Sequence, residues 1–257
     1  MTGTNKACEA IQRIVRELPE LDWLSWTLAE ARALTRQRTW VPPKPQDIIN
    51  LADDSETRLV QSGDQLLEVL IESLGRLEAK LQGETPAAQF LWNKISHGVH
   101  LPKDENSLSD YVKLHLEEDL RQKGIVANRE VQIRSGTGGT SGERTDIHVD
   151  AVSPVGSGSG YDKVSVIIEA KGWWHPELET AMSTQLVERY LKDNQCQHGL
   201  YLVGWFSCPQ WDPEDFRHKQ RPKYDIEEAR KRFEAQAIEI SKGAVGVKAF
   251  VIDTGLR

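Results

Sequence analysis

The spacing of apolar positions changes character near residue 100 of this 257-residue chain. Over residues 5–100 apolar side chains recur three and four positions apart, the period of a helix with one buried stripe. Residues 7–18 and 21–38 each read as such a helix. Residues 57–81 read as the longest, with Leu67, Leu70, Leu74, Leu77 and Leu81 along one seam. That seam suits a helix in a local bundle, since the repeat is too short to demand a coiled coil; a dimer seam or a docking surface is the alternative. The run Val41-Pro42-Pro43-Lys44-Pro45 interrupts the pattern, because proline removes amide donors and fixes φ. Residues 86–96 read as one more short helix, and residues 97–106 (HGVHLPKDEN) as a boundary.

Beyond the boundary, strand-like runs alternate with helical ones. Residues 107–122 form a helix for which Ser107 is a suitable N-cap. Leu108, Tyr111, Val112 and Leu116 define its apolar face; His115 and Asp119 fall within that face and Glu118 near its edge. Residues 125–134 alternate as a strand. SGTGGTSG (135–142) lacks the Gly-Lys-Ser/Thr ending of a phosphate-binding loop and reads as a hairpin turn. Thr145, Ile147 and Val149 alternate with Asp146, His148 and Asp150 as a half-buried strand. After a glycine/serine loop (156–160), the apolar run 164–168 reads as a strand buried on both faces. A turn at 172–176, a helix over 177–192 and a buried strand over 198–206 follow. Last come a loop (208–223), a helix (224–242) with Gly243 as its C-cap, and a strand (245–252). From residue 107 the order is α-β-β-β-α-β-α-β.

The apolar run 164–168 ends in Glu169-Ala170-Lys171. Side chains two apart on a strand share a face, so Glu169 and Lys171 point the same way, and a hairpin can bring Asp146 beside them. Charge at the end of an apolar strand is costly unless it is paired or bound to a metal. A buried salt bridge between Glu169 and Lys171, with Asp146 in a turn, is the plain structural account. Catalytic chemistry is the other: two carboxylates supply the hard oxygen ligands that Mg²⁺ or Mn²⁺ prefers.

An aspartate followed by Glu-x-Lys at the end of the next strand resembles the active site of the PD-(D/E)xK, or restriction-endonuclease-like, nucleases. Further residues bring the chain close to the nuclease domains attached to bacterial NTPase sensors of anti-phage defence. They are Asn128-Arg129-Glu130-Val131-Gln132-Ile133-Arg134, Gly142-Glu143-Arg144-Thr145-Asp146-Ile147-His148-Val149-Asp150, Glu169-Ala170-Lys171-Gly172, Trp174-His175-Pro176-Glu177-Leu178, and Gln185-Leu186-Val187 with Tyr190-Leu191. They lie within residues 107–215. The resemblance implies an α/β domain over 107–257 with an αβββαβ core and a mixed central sheet flanked by helices. An all-helical region (1–100) for assembly or regulation would precede it. The implied activity is Mg²⁺- or Mn²⁺-dependent cleavage of DNA, endonucleolytic and directed at phage. Asp146, Glu169 and the backbone carbonyl of Ala170 would hold the metal, joined by a helical acid, Asp119 before Glu118. Lys171 would orient or deprotonate the attacking water or offset phosphate charge, and Gln185 would contact the lysine or the DNA. Tyr190 comes five residues after Gln185, about 140° away on an α-helix, and reads as structural. Arg144, His175, Arg217, Lys219, Arg221 and Lys223 are the candidate DNA contacts. Alternatives are a catalytically silent nucleic-acid-binding or assembly module of the same fold, or a nuclease acting on RNA or branched DNA.

Several residues carry two readings. His148 and Asp150 share the side of Asp146 and either support the site or face solvent. His175 either touches a phosphate or packs in its turn between Trp173 and Trp174. The basic run 217–223 either tracks a DNA backbone or is a solvated loop. Cys196, His198, Cys208 and His218 fit no common zinc module. Trp23, Trp26, Trp40 and Trp92 read as core or interface anchors.

Composition narrows the setting. Residues 1–106 carry 12 basic and 16 acidic side chains and the remainder 20 and 23, so the net charge of −7 is spread over both halves. That argues against DNA binding by bulk charge and leaves room for an ion to supply local positive charge. Three cysteines make no disulfide framework. No apolar run nears the ~20 residues of a membrane span, and no leader is evident at the N-terminus. The expectation is a cytoplasmic protein that does not engage a membrane. Its helices would join a second copy or a separate sensor protein, since no Walker-type loop is present.

Overall fold

The computed structural model of the chain describes residues 4–18, 21, 23–39, 60–96, 98–121, 125–129, 147–154, 161–243 and 245–256. The proline run at 41–45, the start of the helix expected from 57, Trp40, the strand beyond Arg129, the loops at 135–142 and 156–160, Arg144 and Asp146 lie outside them. The chain divides into two compact units, Met1–Ser62 with Val152–Val164, and Gly63–Ala151 with Ser165–Arg257.

The first unit holds helices α1 (Asn5–Glu17) and α2 (Trp23–Thr39), packed on each other. Thr4 caps α1, its hydroxyl accepting the Ala7 amide at 3.2 Å. Leu24, Leu28, Ala31 and Thr35 form the buried stripe of α2. The Thr35 hydroxyl turns back to the Ala31 carbonyl at 2.7 Å and lies 3.3 Å from Cys8 Sγ.

The second unit is a mixed α/β body around a five-stranded mixed sheet. Its elements are α3 (Gly63–Gln82), a 3₁₀ turn (Ala87–Leu91), β1 (Trp92–Ser96), β2 (Val99–Pro102), α4 (Glu105–Asp119), β3 (Ile125–Arg129), β4 (Ile147–Pro154), β5 (Tyr161–Gly172), a π-helix (Met182–Leu191), β6 (His198–Trp205), the short α5 (Phe216–Lys219), α6 (Ile226–Ile240) and β7 (Gly246–Asp253). The sheet order is β3-β4-β5-β6-β7. β3 and β4 are antiparallel, pairing Ile125 with Ala151 and Arg129 with Ile147. β5 runs parallel to β6 and β6 to β7, with Glu169 opposite Tyr201 and Val203 opposite Val251. β5 and β6 are buried on both faces, Val166 to Ile168 and Leu200 to Val203 at 0% exposure. That is why both read as continuous apolar runs.

Each sheet face has its own cover. Ile168 and Ala170 of β5 point to one side, and Ser165, Ile167, Glu169 and Lys171 to the other. α4 covers the first side: Leu108 approaches so closely that a β-carbon on Gly204 would stand 2.6 Å from its Cδ2. Gly204 is in register with Gly172, which shares the side of Ala170. The π-helix covers the second side, where Leu186 meets Gly199, the partner of Ile167. α3 packs on α4, β6 and β7, and α6 on β7 through Ala229, Phe233 and Ala237.

Four expectations need correction. The stretch before residue 107 is not all helical: residues 86–96 divide into the 3₁₀ turn and strand β1, which pairs with β2. Gly98 makes the turn between them with a φ of 80°, open to glycine at no steric cost, and Trp92 Nε1 ties β1 to the Thr254 carbonyl at 2.9 Å. The supposed boundary at 97–106 is therefore structured. The N-cap of α4 is Asp104, not Ser107; its carboxylate accepts the Ser107 amide at 2.8 Å. The helix expected over 177–192 begins with turns and then winds as a π-helix. The loop of 208–223 contains the short helix α5.

Candidate active site

β5 carries an apolar strand straight into charge. Glu169 is 2% exposed and Lys171 8%. Lys171 Nζ donates to Glu169 Oε1 at 2.6 Å, so the pair offsets part of the cost of burying either charge. Beside them on β6 stands Tyr201, whose hydroxyl donates to the Leu178 carbonyl at 2.7 Å. Burial, and then the negative charge of Glu169, hold its phenol well above the usual tyrosine range. The strand end is tied down on both sides. Glu105 Oε1 accepts the Gly172 amide at 2.9 Å, and the Trp173 amide reaches the Gly204 carbonyl at 3.1 Å.

The same sheet face carries acid on the next strand. Ser165 Oγ donates to Asp150 Oδ1 at 2.6 Å, and His148 Nε2 lies 3.2 Å from that oxygen. Ile147, Val149 and Ala151 fill the opposite, α4-covered side and are buried. Asp146 lies outside the described residues.

The helical acids go elsewhere. Asp119 accepts Ser73 Oγ at 2.7 Å and Arg76 Nε at 3.0 Å, both from α3. The Arg76 hydrogen bonds hold its carboxyl down at about 2. α4 lies against the sheet face opposite Glu169, and Glu118 is exposed. His115, beneath Asp119, contacts the Ser73 carbonyl through Nε2 at 2.9 Å, and burial lowers its pKa. The acid of α4 that reaches the end of β5 is Glu105. Sequence reasoning missed it and Tyr201. Asp104 as a capping residue would have put Glu105 in the first turn of α4, and Tyr201 is the one hydroxyl in an apolar run.

Gln185 Nε2 donates to Glu177 Oε2 across the turn that opens the π-helix. Because rungs in that helix link positions five apart, the 140° separation of Gln185 from Tyr190 does not hold here. Tyr190 is buried, Gln185 half-buried. His175 Nδ1 accepts the Glu177 amide at 3.1 Å, which puts the proton of the neutral ring on Nε2.

Past Lys171 an aromatic cluster closes this end of the sheet. Trp173 packs on Trp205 with centroids 4.4 Å apart, Trp174 on Phe206 at 4.8 Å, and Trp92 on Trp211 at 5.4 Å. The four expected basic contacts separate. The Arg217 guanidinium lies 5.4 Å from the Trp174 ring, grips both Asp215 oxygens at 3.0 Å and donates to the Pro102 carbonyl at 2.7 Å. Burial alone would raise the Asp215 carboxyl, but Arg217 and Trp211 Nε1 pull it below its usual range. Lys219, Arg221 and Lys223 are exposed, Lys219 lying 3.3 Å from Glu214 and Arg221 from His218.

Glu169 is the described carboxylate that suits a hard cation at this site. Among the described residues no group of three or more His, Cys, Asp or Glu side chains is placed to hold a metal ion. Searches of family models, curated proteins and solved structures found no match to this chain.

Proposed function

We propose that the chain is a divalent-metal-dependent nuclease of the restriction-endonuclease-like kind, hydrolysing DNA phosphodiester bonds in phage defence. The observation that carries this is the Glu169–Lys171 pair, buried where the apolar strand β5 ends. Nature seldom buries a lysine and a glutamate for stability alone, since an apolar pair of similar size does as well or better. The order helix, three strands, helix, strand from α4 to β6 supports the same reading. So does the acidic strand β4 lying beside β5 with His148 and Asp150 on the Glu169 face.

In this reading Glu169 and Asp146 hold Mg²⁺ or Mn²⁺. When bound, the ion supplies positive charge to the phosphate and acidifies water. Lys171 Nζ, oriented by Glu169, directs the attacking water and offsets charge on the phosphate. Glu105 supports the site by holding the Gly172 amide at the strand end, and Tyr201 by holding the Leu178 carbonyl.

The test is nicking of supercoiled plasmid with Mg²⁺, Mn²⁺ or EDTA by the wild type, Lys171→Met and Asp146→Ala. Metal-dependent nicking lost by both variants is expected, with a fall on the order of 10²–10⁴-fold for Lys171→Met. Wild-type protein that binds no Mn²⁺ by calorimetry and cuts neither phage nor host DNA would leave the pair as a structural salt bridge.

A further inference from the structure

The basic run at 217–223 is fixed to the sheet end that carries Glu169 and Lys171, and its residues divide the labour. Trp174 lies three residues beyond Lys171 and packs on Phe206 and Trp211. Arg217 stacks over Trp174 while Asp215 receives Arg217 and the Trp211 indole. The Arg217 bond to the Pro102 carbonyl adds the β1–β2 hairpin to the same assembly. Arg217 thus spends its donors inside the protein, its side chain 16% exposed. The turn it anchors then presents Lys219, Arg221 and Lys223 to solvent.

The surrounding acids do not cancel this display. Asp215 is neutralised by Arg217, and the Asp225 carboxylate caps α6 through the Glu228 amide. Asp212 accepts the Glu214 amide, and Glu214 lies 3.3 Å from Lys219. A chain of net charge −7 therefore holds exposed positive charge on a rigid mount at the end of β5.

We infer that Lys219, Arg221 and Lys223 form a grip for the phosphate backbone of duplex DNA, mounted by Arg217 on Trp174 at the end of β5, on the face that α4 covers. The inference rests on the nuclease reading for the identity of the polyanion, and it makes contact sequence-independent, because lysine and arginine on phosphates read no bases.

The experiment measures binding apart from cleavage. A fluorescein-labelled random-sequence DNA duplex is titrated with the full chain in EDTA by anisotropy, over a series of NaCl concentrations. The variants are the Lys219→Ala/Arg221→Ala/Lys223→Ala triple, all surface positions, and Lys231→Ala, an exposed cation on α6. Each lost phosphate contact should reduce the slope of log K on log salt by about 0.9, so the triple variant should lose about two to three units. Lys231→Ala should keep the wild-type slope. A triple variant with the affinity and slope of the wild type, or a wild type that does not bind the duplex at any salt, overturns the grip. Failure of the nuclease reading shows separately, as a duplex bound with the expected slope but never cut when metal is restored.

Discussion

At the scale of single residues, two places where charged side chains meet follow different logic. Glu169 and Lys171 face each other at the end of β5, both buried. Lys171→Met or Glu169→Gln alone should each cost about 3–5 kcal/mol, and the double variant should recover most of that; urea midpoints of the four proteins measure it. Equal losses in single and double variants would show that the two charges do not depend on each other. The second place is the Ser73, Arg76, His115 and Asp119 network between α3 and α4. His115 has its folded pKa lowered by burial, so its contribution is present above the unfolded value near 6.5 and declines as pH falls below it. Asp119, held at about 2 by Arg76 and Ser73, adds stability above its ordinary value of 3.8 that is lost as pH falls toward about 2. Denaturant midpoints should therefore fall in two stages on acidification. Asp119→Asn should remove the lower stage, worth about 1 kcal/mol after allowance for the solvent that reaches Arg76.

At the scale of elements, helix α3 shows how a seam gains its meaning from its neighbours. Leu66, Leu67, Leu70, Leu74, Leu77 and Leu81 are all at most 1% exposed, packed in the unit that contains the sheet. The leucine spacing is used inside this unit, against α4, β6 and β7, so it is not left open as a docking stripe. Leu74→Ala should cost about 2–5 kcal/mol, and Leu114→Ala, on the 62% exposed side of α4, within about 0.5 kcal/mol. Tryptophan fluorescence reports on the sheet end, where Trp173, Trp174, Trp205 and Trp211 sit. If α3 unfolds with the sheet, Leu74→Ala shifts the fluorescence transition and the circular-dichroism transition together. A shift in only one of them would mean that α3 is not part of the cooperative unit. The π-helix is the other element whose form matters. Its rungs five apart turn Gln185 toward Glu177 and bury Tyr190, a phase no α-helical wheel reproduces.

At the scale of the whole molecule, two units share one chain, and the proposed site lies at one end of one sheet. Strands β5 and β6 both finish there, as do the aromatic cluster and the anchored basic turn, consistent with ligands meeting open α/β sheets beyond the carboxyl ends of parallel strands. The strand pattern was legible in the sequence because alternation and continuous apolar runs are local records of which faces are buried. β5, β6, β7 and the helices α4 and α6 stand within a few residues of their expected spans, α3 ends one residue from its expected end, and the closeness of Glu169 to Lys171 followed from the two-residue period alone. The β1–β2 hairpin was not legible: its one buried tryptophan is held by a carbonyl at residue 254, far along the chain. Nor were the partners of Asp119 and Arg217, nor the reach of Glu105 to Gly172. Sequence by itself determined which residues pair with water and which with the core, since that choice is made by each short segment through its own period. Only the tertiary structure decided which buried charge meets which, because those contacts join segments that nothing but packing brings together.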